Sequence, residues 1–258
     1  MNKVMKMTTK EYLNLIDKVN ENGKFKADWS SLSQHSVPEW YMHDKLGVFI
    51  HWGVYSVPAF GNEWYSRGMY DKNSREFEHH RKTWGEQKVF GYKDFIPMFK
   101  AEKFNASDWV SLFKKSGIKY VMPVAEHHDG FAMYETEFNR WNSKEMGPMR
   151  DVVGELKAEC EKQGLELCAS THRAEHYFFM NPGRLCDSDI NDEKYVDFYG
   201  PAVYCEEFDP AIIHQTTADT YSTGASTEWL EDWLVRTCEI IDKYQPSVLY
   251  FDWWIHNH

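Results

Sequence analysis

Tyr120-Val-Met-Pro-Val-Ala-Glu-His-His-Asp-Gly-Phe131 is the stretch on which the fold turns. It continues an apolar run that begins at Ile118 and passes, without a spacer, into Glu126-His127-His128-Asp129. A short run that is apolar on both faces is the pattern of a buried parallel strand. Ionisable groups directly behind such a strand lie where α/β barrels keep their chemistry, at the carboxyl ends of the strands.

The same arrangement recurs on either side. Lys45-Leu-Gly-Val-Phe-Ile-His51 reads as an earlier strand ending on His51. Leu165–Ser170 reads as a third, followed by Thr171-His172-Arg173-Ala174-Glu175-His176, and Ser247–Phe251 as a fourth, ending on Asp252. Amphipathic helices fill the gaps. One runs to Ser116, capped by Asn105 or Ser107, with Asp108 in its first turn and Trp109, Val110 and Phe113 on one face. A second opens at Asp151, turns Val152, Val153 and Leu156 inward and stops at Gly164. A third, capped by Thr227 with Glu228 and Glu231 in its first turn, sets Trp229, Leu230, Trp233, Leu234, Cys238 and Ile241 on an expected core face and ends near Pro246. The fold class is therefore α/β, a (β/α)8 TIM-like barrel, of which about four βα units are expected here. Residues 1–258 are read as the amino-terminal part of one catalytic barrel.

Composition narrows the function. The 258 residues carry a net charge of -11 and no Lys/Arg run, which speaks against a nucleic-acid partner. No apolar stretch approaches the roughly 20 residues of a membrane span. The polar start, Met1–Trp29, lacks a secretory apolar segment, and the five cysteines form no CxxC pair. These features lead to the expectation of a cytoplasmic protein, or a secreted or periplasmic one if a signal has been removed. Aromatic residues reach 16%, with 11 Trp and 15 Tyr, a share that serves a large core and also suits stacking on sugar rings.

Four strand ends bearing polar groups form the strongest physical clue. Asp252, behind Leu249-Tyr-Phe and before Trp253-Trp254, is a partly desolvated carboxylate, either a glycosidase nucleophile or a cap for the next helix. His127 and His128 leave three readings open: sugar contacts by neutral imidazoles, metal binding, or structure. HEXXH spacing is absent. His51, Glu63 and Trp64 offer a donor, an acceptor and an aromatic face, or a packed loop. His172 is preferred for the pocket because it lies nearest its strand end. Arg173 and Glu175 are read as a loop salt bridge, His79-His80 as surface, and Glu206, Glu207 and Asp209 as solvated. The stretch from Thr171 to Ala225 is too long to be structureless.

Gly47-Val-Phe-Ile-His-Trp-Gly-Val-Tyr-Ser-Val-Pro58, Asn62-Glu-Trp-Tyr65, the Tyr120–Phe131 stretch, and Trp141-Asn-Ser followed by Arg150-Asp151 together resemble the α-L-fucosidases of glycoside hydrolase family 29. The resemblance covers roughly residues 35 to 256. It implies a retaining hydrolase acting on terminal α-L-fucose of oligosaccharides or glycoconjugates, without metal or other cofactor. It implies Asp252 as nucleophile and His51, Glu63, Trp64, His127 and His128 as fucose contacts. Phe-Asp-Trp-Trp departs from the pattern of many members, which carry a Gly shortly after the Asp. The family's acid/base carboxylate lies beyond its nucleophile, so that role, the later strands and a carboxyl-terminal β-sandwich are expected outside this chain. A sugar-binding protein on the same barrel, without turnover, is the alternative.

Overall fold

The computed structural model describes residues 7–203, 225–252 and 255. Trp253, Trp254, Cys205, Glu206, Glu207 and Asp209 lie outside the described residues. The strands are β1 (Gly47–Ile50), β2 (Tyr120–Glu126), β3 (Glu166–Leu167), β4 (Ala169–Thr171) and β5 (Leu249–Phe251). All pairings are parallel, in the order β1-β2-β4-β5, with β3 also on β2. Each strand position thus lies beside the next in sequence, the order of a (β/α)8 barrel rather than of a doubly wound sheet.

The expected third strand is two pieces. β3 pairs with Tyr120 and Val121, β4 pairs with Val124 and Glu126, and the register of β2 shifts between Val124 and Glu126. Cys168, between the pieces, still donates its backbone N–H to the Val121 carbonyl at 2.8 Å. The irregularity shifts the register inside the sheet without breaking the pairing.

Among the described residues five α-helices run for two turns or more: α1 (Thr9–Asn22), α2 (Arg75–Thr83), α3 (Ala106–Lys115), α4 (Val152–Gln163) and α5 (Thr227–Tyr244). Asn105 caps α3, accepting from the Asp108 N–H at 3.2 Å. Asp151 caps α4, accepting from Gly154 N–H at 2.9 Å, and takes a second bond from the Tyr244 hydroxyl at 2.9 Å. Gly164 ends α4 at φ 73°, the left-handed conformation that glycine adopts without a Cβ penalty. Helix α1 lies in the segment noted above only as polar. Thr8 and Glu11 form a capping box there, and Tyr12 and Ile16 pack on Val235 of α5.

Helix α5 corrects two expectations. Its cap is Ser226, not Thr227, and of the two expected acids Glu228 is the one in the first turn. Leu230, Leu234 and Ile241 are 38–44% exposed, whereas Trp229, Val235, Arg236, Glu239, Ile240 and Tyr244 face inward. Charged residues occupy this inner face because the sheet presents charge to it. Glu126, 1% exposed, accepts from Arg173 at 3.1 Å and pairs with Arg236 at 3.4 Å, and both arginines return to Asp232 at 2.8 and 3.0 Å. Two acids and two bases leave the buried cluster neutral overall. Glu239 is held likewise by Thr136, the Glu137 N–H and Lys243.

Removing one member of such a buried cluster leaves its partners' charge uncompensated. Glu126→Ala is expected to lower unfolding stability by about 3–5 kcal/mol, measured by urea denaturation at neutral pH. A change within about 0.5 kcal/mol would contradict the structural role assigned to this carboxylate.

Candidate active site at the strand ends

Register sets the site. Thr171 lies beside Phe251, and the His172 N–H donates to the Glu126 carbonyl at 2.8 Å, so the ends of β2, β4 and β5 are level. Asp252, His172 and the His127-His128 pair are the residues immediately past that line. The Asp252 carboxylate, 17% exposed, has Oδ2 3.2 Å from His128 Nε2 and 3.2 Å from His172 Nδ1. Burial pushes its pKa up, but the contacts from His128 and His172 outweigh this and hold it well below the usual carboxylate range. The other nitrogen of His172 lies 2.8 Å from Ser170 Oγ. Nδ1 faces Asp252 without the geometry of a hydrogen bond, and the tautomer sets which way the bond to Ser170 Oγ runs.

The strand end resolves how neighbouring residues divide. Glu126 points to the helix layer, while His127 and His128 both turn into the mouth, their ring centroids 4.4 Å apart and 4.7 and 4.9 Å from that of His172. His51 joins from β1, 5.6 Å from His127 and 5.5 Å from His172. Trp64 stands edge-on to His128 at 5.9 Å and to Phe179 at 5.4 Å. Glu63 is close enough for its charge to act on His51. The structure therefore brings His51, Glu63, Trp64, His127, His128, His172 and Asp252 to one mouth. Trp52, by contrast, packs against Phe99, Phe104 and Trp109.

Burial keeps His51, His127 and His128 neutral. Burial lowers the pKa of His127 well below its usual value, with His128, His172 and His51 adding repulsion. Burial likewise lowers His128, to about 4, against the raising effect of Asp252. Burial and His172 lower His51, opposed by Glu63 and Asp252. His127 Nδ1 is buried and has no hydrogen-bond partner among the described residues. Neutral imidazoles with one donor and one acceptor suit sugar hydroxyls. They are also a metal donor set: the ligand atoms of His51, His127 and His172, and those of His128, His172 and Asp252, lie within 4.8 Å of one another.

Beneath this layer sit residues to which sequence reasoning assigned no part in the site. His176, buried, has Nδ1 2.7 Å from the His128 carbonyl oxygen and Nε2 2.8 Å from that of Phe198. Burial and the charge of Arg173 pull its pKa down, to about 3, against the two carbonyls, each of which favours an N–H. Its ring fills the space over Gly130, where an added Cβ would come within 2.7 Å of it, and Gly130 has φ +77°. Asp129 anchors the same turn, accepting from the Phe131 N–H at 3.0 Å and from the Tyr92 hydroxyl at 2.7 Å. Burial raises its pKa, to about 7. Glu175, expected to form a loop salt bridge, is buried with Oε2 3.9 Å from His128 Nε2, and the charge partners of Arg173 are Glu126 and Asp232. His80, read as surface, is fully buried between the Tyr65 hydroxyl and the Phe90 carbonyl, because the polar α2 turns that side inward.

Two tests follow from these supports. Gly130→Ala forces a left-handed alanine into the His176 ring and is expected to cost about 2–4 kcal/mol in denaturant unfolding. Buried His127 and His128 take up protons only on unfolding, so stability falls as pH drops from 6.5 toward 4. Asp129 works in the opposite sense: with its folded pKa near 7 against the usual 3.8, the folded state holds the extra proton between those values. Asp129→Asn should therefore steepen the acid loss by up to about 1.4 kcal/mol per pH unit, read from melts between pH 4 and 6.5. An unchanged slope would contradict a protonated Asp129.

Comparison with known proteins follows the same geometry. The family model for alpha-L-fucosidase matches residues 13–258. The chain is 40% identical to tissue alpha-L-fucosidase of Rattus norvegicus over 142 residues, 55% of this chain and 30% of that one. It is 29% identical to an alpha-L-fucosidase of Dictyostelium discoideum over 261 residues, covering 98% of this chain and 53% of that one. The crystal structure of Thermotoga maritima alpha-fucosidase in complex with fucose is similar with a TM-score of 0.67 and 31% identity, over 89% of this chain and 50% of that one. The chain spans about half the length, or less, of these relatives. A (β/α)8 strand order, a carboxylate held by histidines at the strand ends and a family match over nearly the whole sequence agree: the chain belongs to the α-L-fucosidase family.

Proposed function

We propose that this chain carries the nucleophile and much of the sugar pocket of a retaining α-L-fucosidase, which releases terminal α-L-fucose from oligosaccharides or glycoconjugates. The observation that carries this reading is Asp252 Oδ2, partly exposed and 3.2 Å from a ring nitrogen of each of His128 and His172. A carboxylate held low by its contacts with His128 and His172 stays ionised at neutral pH, so it keeps the charge that attack on an anomeric carbon requires.

In this mechanism one Asp252 oxygen forms a bond to the anomeric carbon while the bond to the leaving oxygen breaks through an oxocarbenium-like transition state. A second carboxyl group, about 5 Å away in retaining enzymes, gives the leaving oxygen its proton and then draws one from the water that frees the sugar. His128 and His172 fix the carboxylate so that little reorganisation accompanies charge transfer. His51, His127 and Glu63 take ring hydroxyls, and Trp64 gives an apolar edge to the side bearing the methyl group. Buried polar groups such as His127 Nδ1 discriminate, since a sugar lacking the matching hydroxyl leaves them unpaired. Free thiols at Cys160, Cys168, Cys186 and Cys238 support work in a reducing compartment.

The full-length protein should release nitrophenol from an aryl α-L-fucoside. Asp252→Asn should lower kcat by roughly 10³-fold or more while L-fucose still binds. A folded wild type that binds fucose without turnover would point instead to a sugar-binding protein on this barrel.

A further inference from the structure

We infer that His51, His127 and His172 also form a binding site for a divalent transition ion of the zinc type, which occupies the mouth in competition with sugar. Three strand ends deliver the three imidazoles, and their candidate ligand atoms already lie within 4.8 Å of one another. Zinc–nitrogen bonds of about 2.0–2.1 Å in tetrahedral geometry set ligand nitrogens about 3.4 Å apart. The rings therefore need to close by little more than an ångström. His51 is exposed and free to make most of that movement, while His127 and His172 are fixed in the core.

The surroundings favour an ion over an empty imidazole cluster. His127 Nδ1 is buried and has no hydrogen-bond partner among the described residues. His51 and His127 are also the side chains proposed to take ring hydroxyls, so an ion held by them and a bound sugar exclude each other. Asp252, 3.2 Å from His172, supplies a negative charge beside the trio. Three imidazoles with a fourth position left to water are the donor set of borderline ions, not of magnesium or calcium.

The ion here is an inhibitor of the proposed reaction, and that half of the inference rests on the fucosidase reading; binding itself does not. The test is equilibrium dialysis of the full-length protein against Zn²⁺ at neutral pH, with Mg²⁺ as control. The expected result is one Zn²⁺ per chain, and none of it displaced by Mg²⁺. His51→Ala, on an exposed side chain whose loss should leave the thermal melt unchanged, should weaken binding at least about tenfold. Asp252→Asn should retain it, which separates this trio from the neighbouring group of His128, His172 and Asp252. Excess L-fucose should release the ion. Absence of bound Zn²⁺, its retention in His51→Ala, or its loss in Asp252→Asn would overturn the site. Bound Zn²⁺ that L-fucose does not displace would overturn the competition, whether or not the protein turns over an aryl fucoside.

Discussion

One carboxylate oxygen shared between two imidazoles organises this molecule. Asp252 follows β5, His172 follows β4 and His128 lies just past β2, so the two 3.2 Å contacts at Oδ2 exist only if three strands end at the same level. Parallel pairing of β4 with β5, and the bond from the His172 N–H to the Glu126 carbonyl, set that level. The contacts in turn offset the cost of placing a charge beside an apolar strand end. Burial keeps His128 neutral, so the carboxylate keeps its own charge beside it.

The end of β2 shows how one turn of chain serves both sides of a barrel wall. Glu126 goes outward to Arg173 and Arg236 and locks the sheet to α5. His127 and His128 go inward. Asp129 and Gly130 then reverse the chain, with Tyr92 and His176 packed against the reversal. The inward pair is thus braced through its own backbone: the His128 carbonyl lies against His176, and the Asp129 side chain ties down the Phe131 N–H. A site fixed in this way has few soft degrees of freedom, the condition for electrostatic stabilisation of a developing charge.

Much of this was legible in the residues. Apolar runs with ionisable groups directly behind them located the strand ends that carry the site: β2 and β4 are buried on both faces, while β1 and β5 keep the apolar run although Phe49 and Tyr250 are exposed. The caps at Asn105 and Asp151, and the stop at Gly164, followed from local backbone requirements. Helix α5 was found with Trp229 on its inner face, but Leu230, Leu234 and Ile241 were misplaced because part of that face is charged. A hydrophobic pattern assumes that inward means apolar, and here Arg236 and Glu239 are inward since Glu126 and Thr136 meet them. His80 and His176 were missed for a related reason: a buried histidine that bonds to carbonyls leaves no pattern along the chain, only in space. Helix α1 did leave a signal, Thr8 followed by Glu11, inside a stretch whose polarity concealed it.

The central claim is that Asp252 is the group that bonds to the sugar. Its most direct measurement is mass spectrometry of the full-length protein after reaction with a fluorinated fucosyl fluoride, which forms a glycosyl-enzyme faster than water can discharge it. The account predicts one fucosyl adduct per chain, on the peptide that contains Leu249 to Asp252 and on the carboxyl of Asp252. An adduct on another carboxylate, or turnover of the reagent with no adduct, would contradict it.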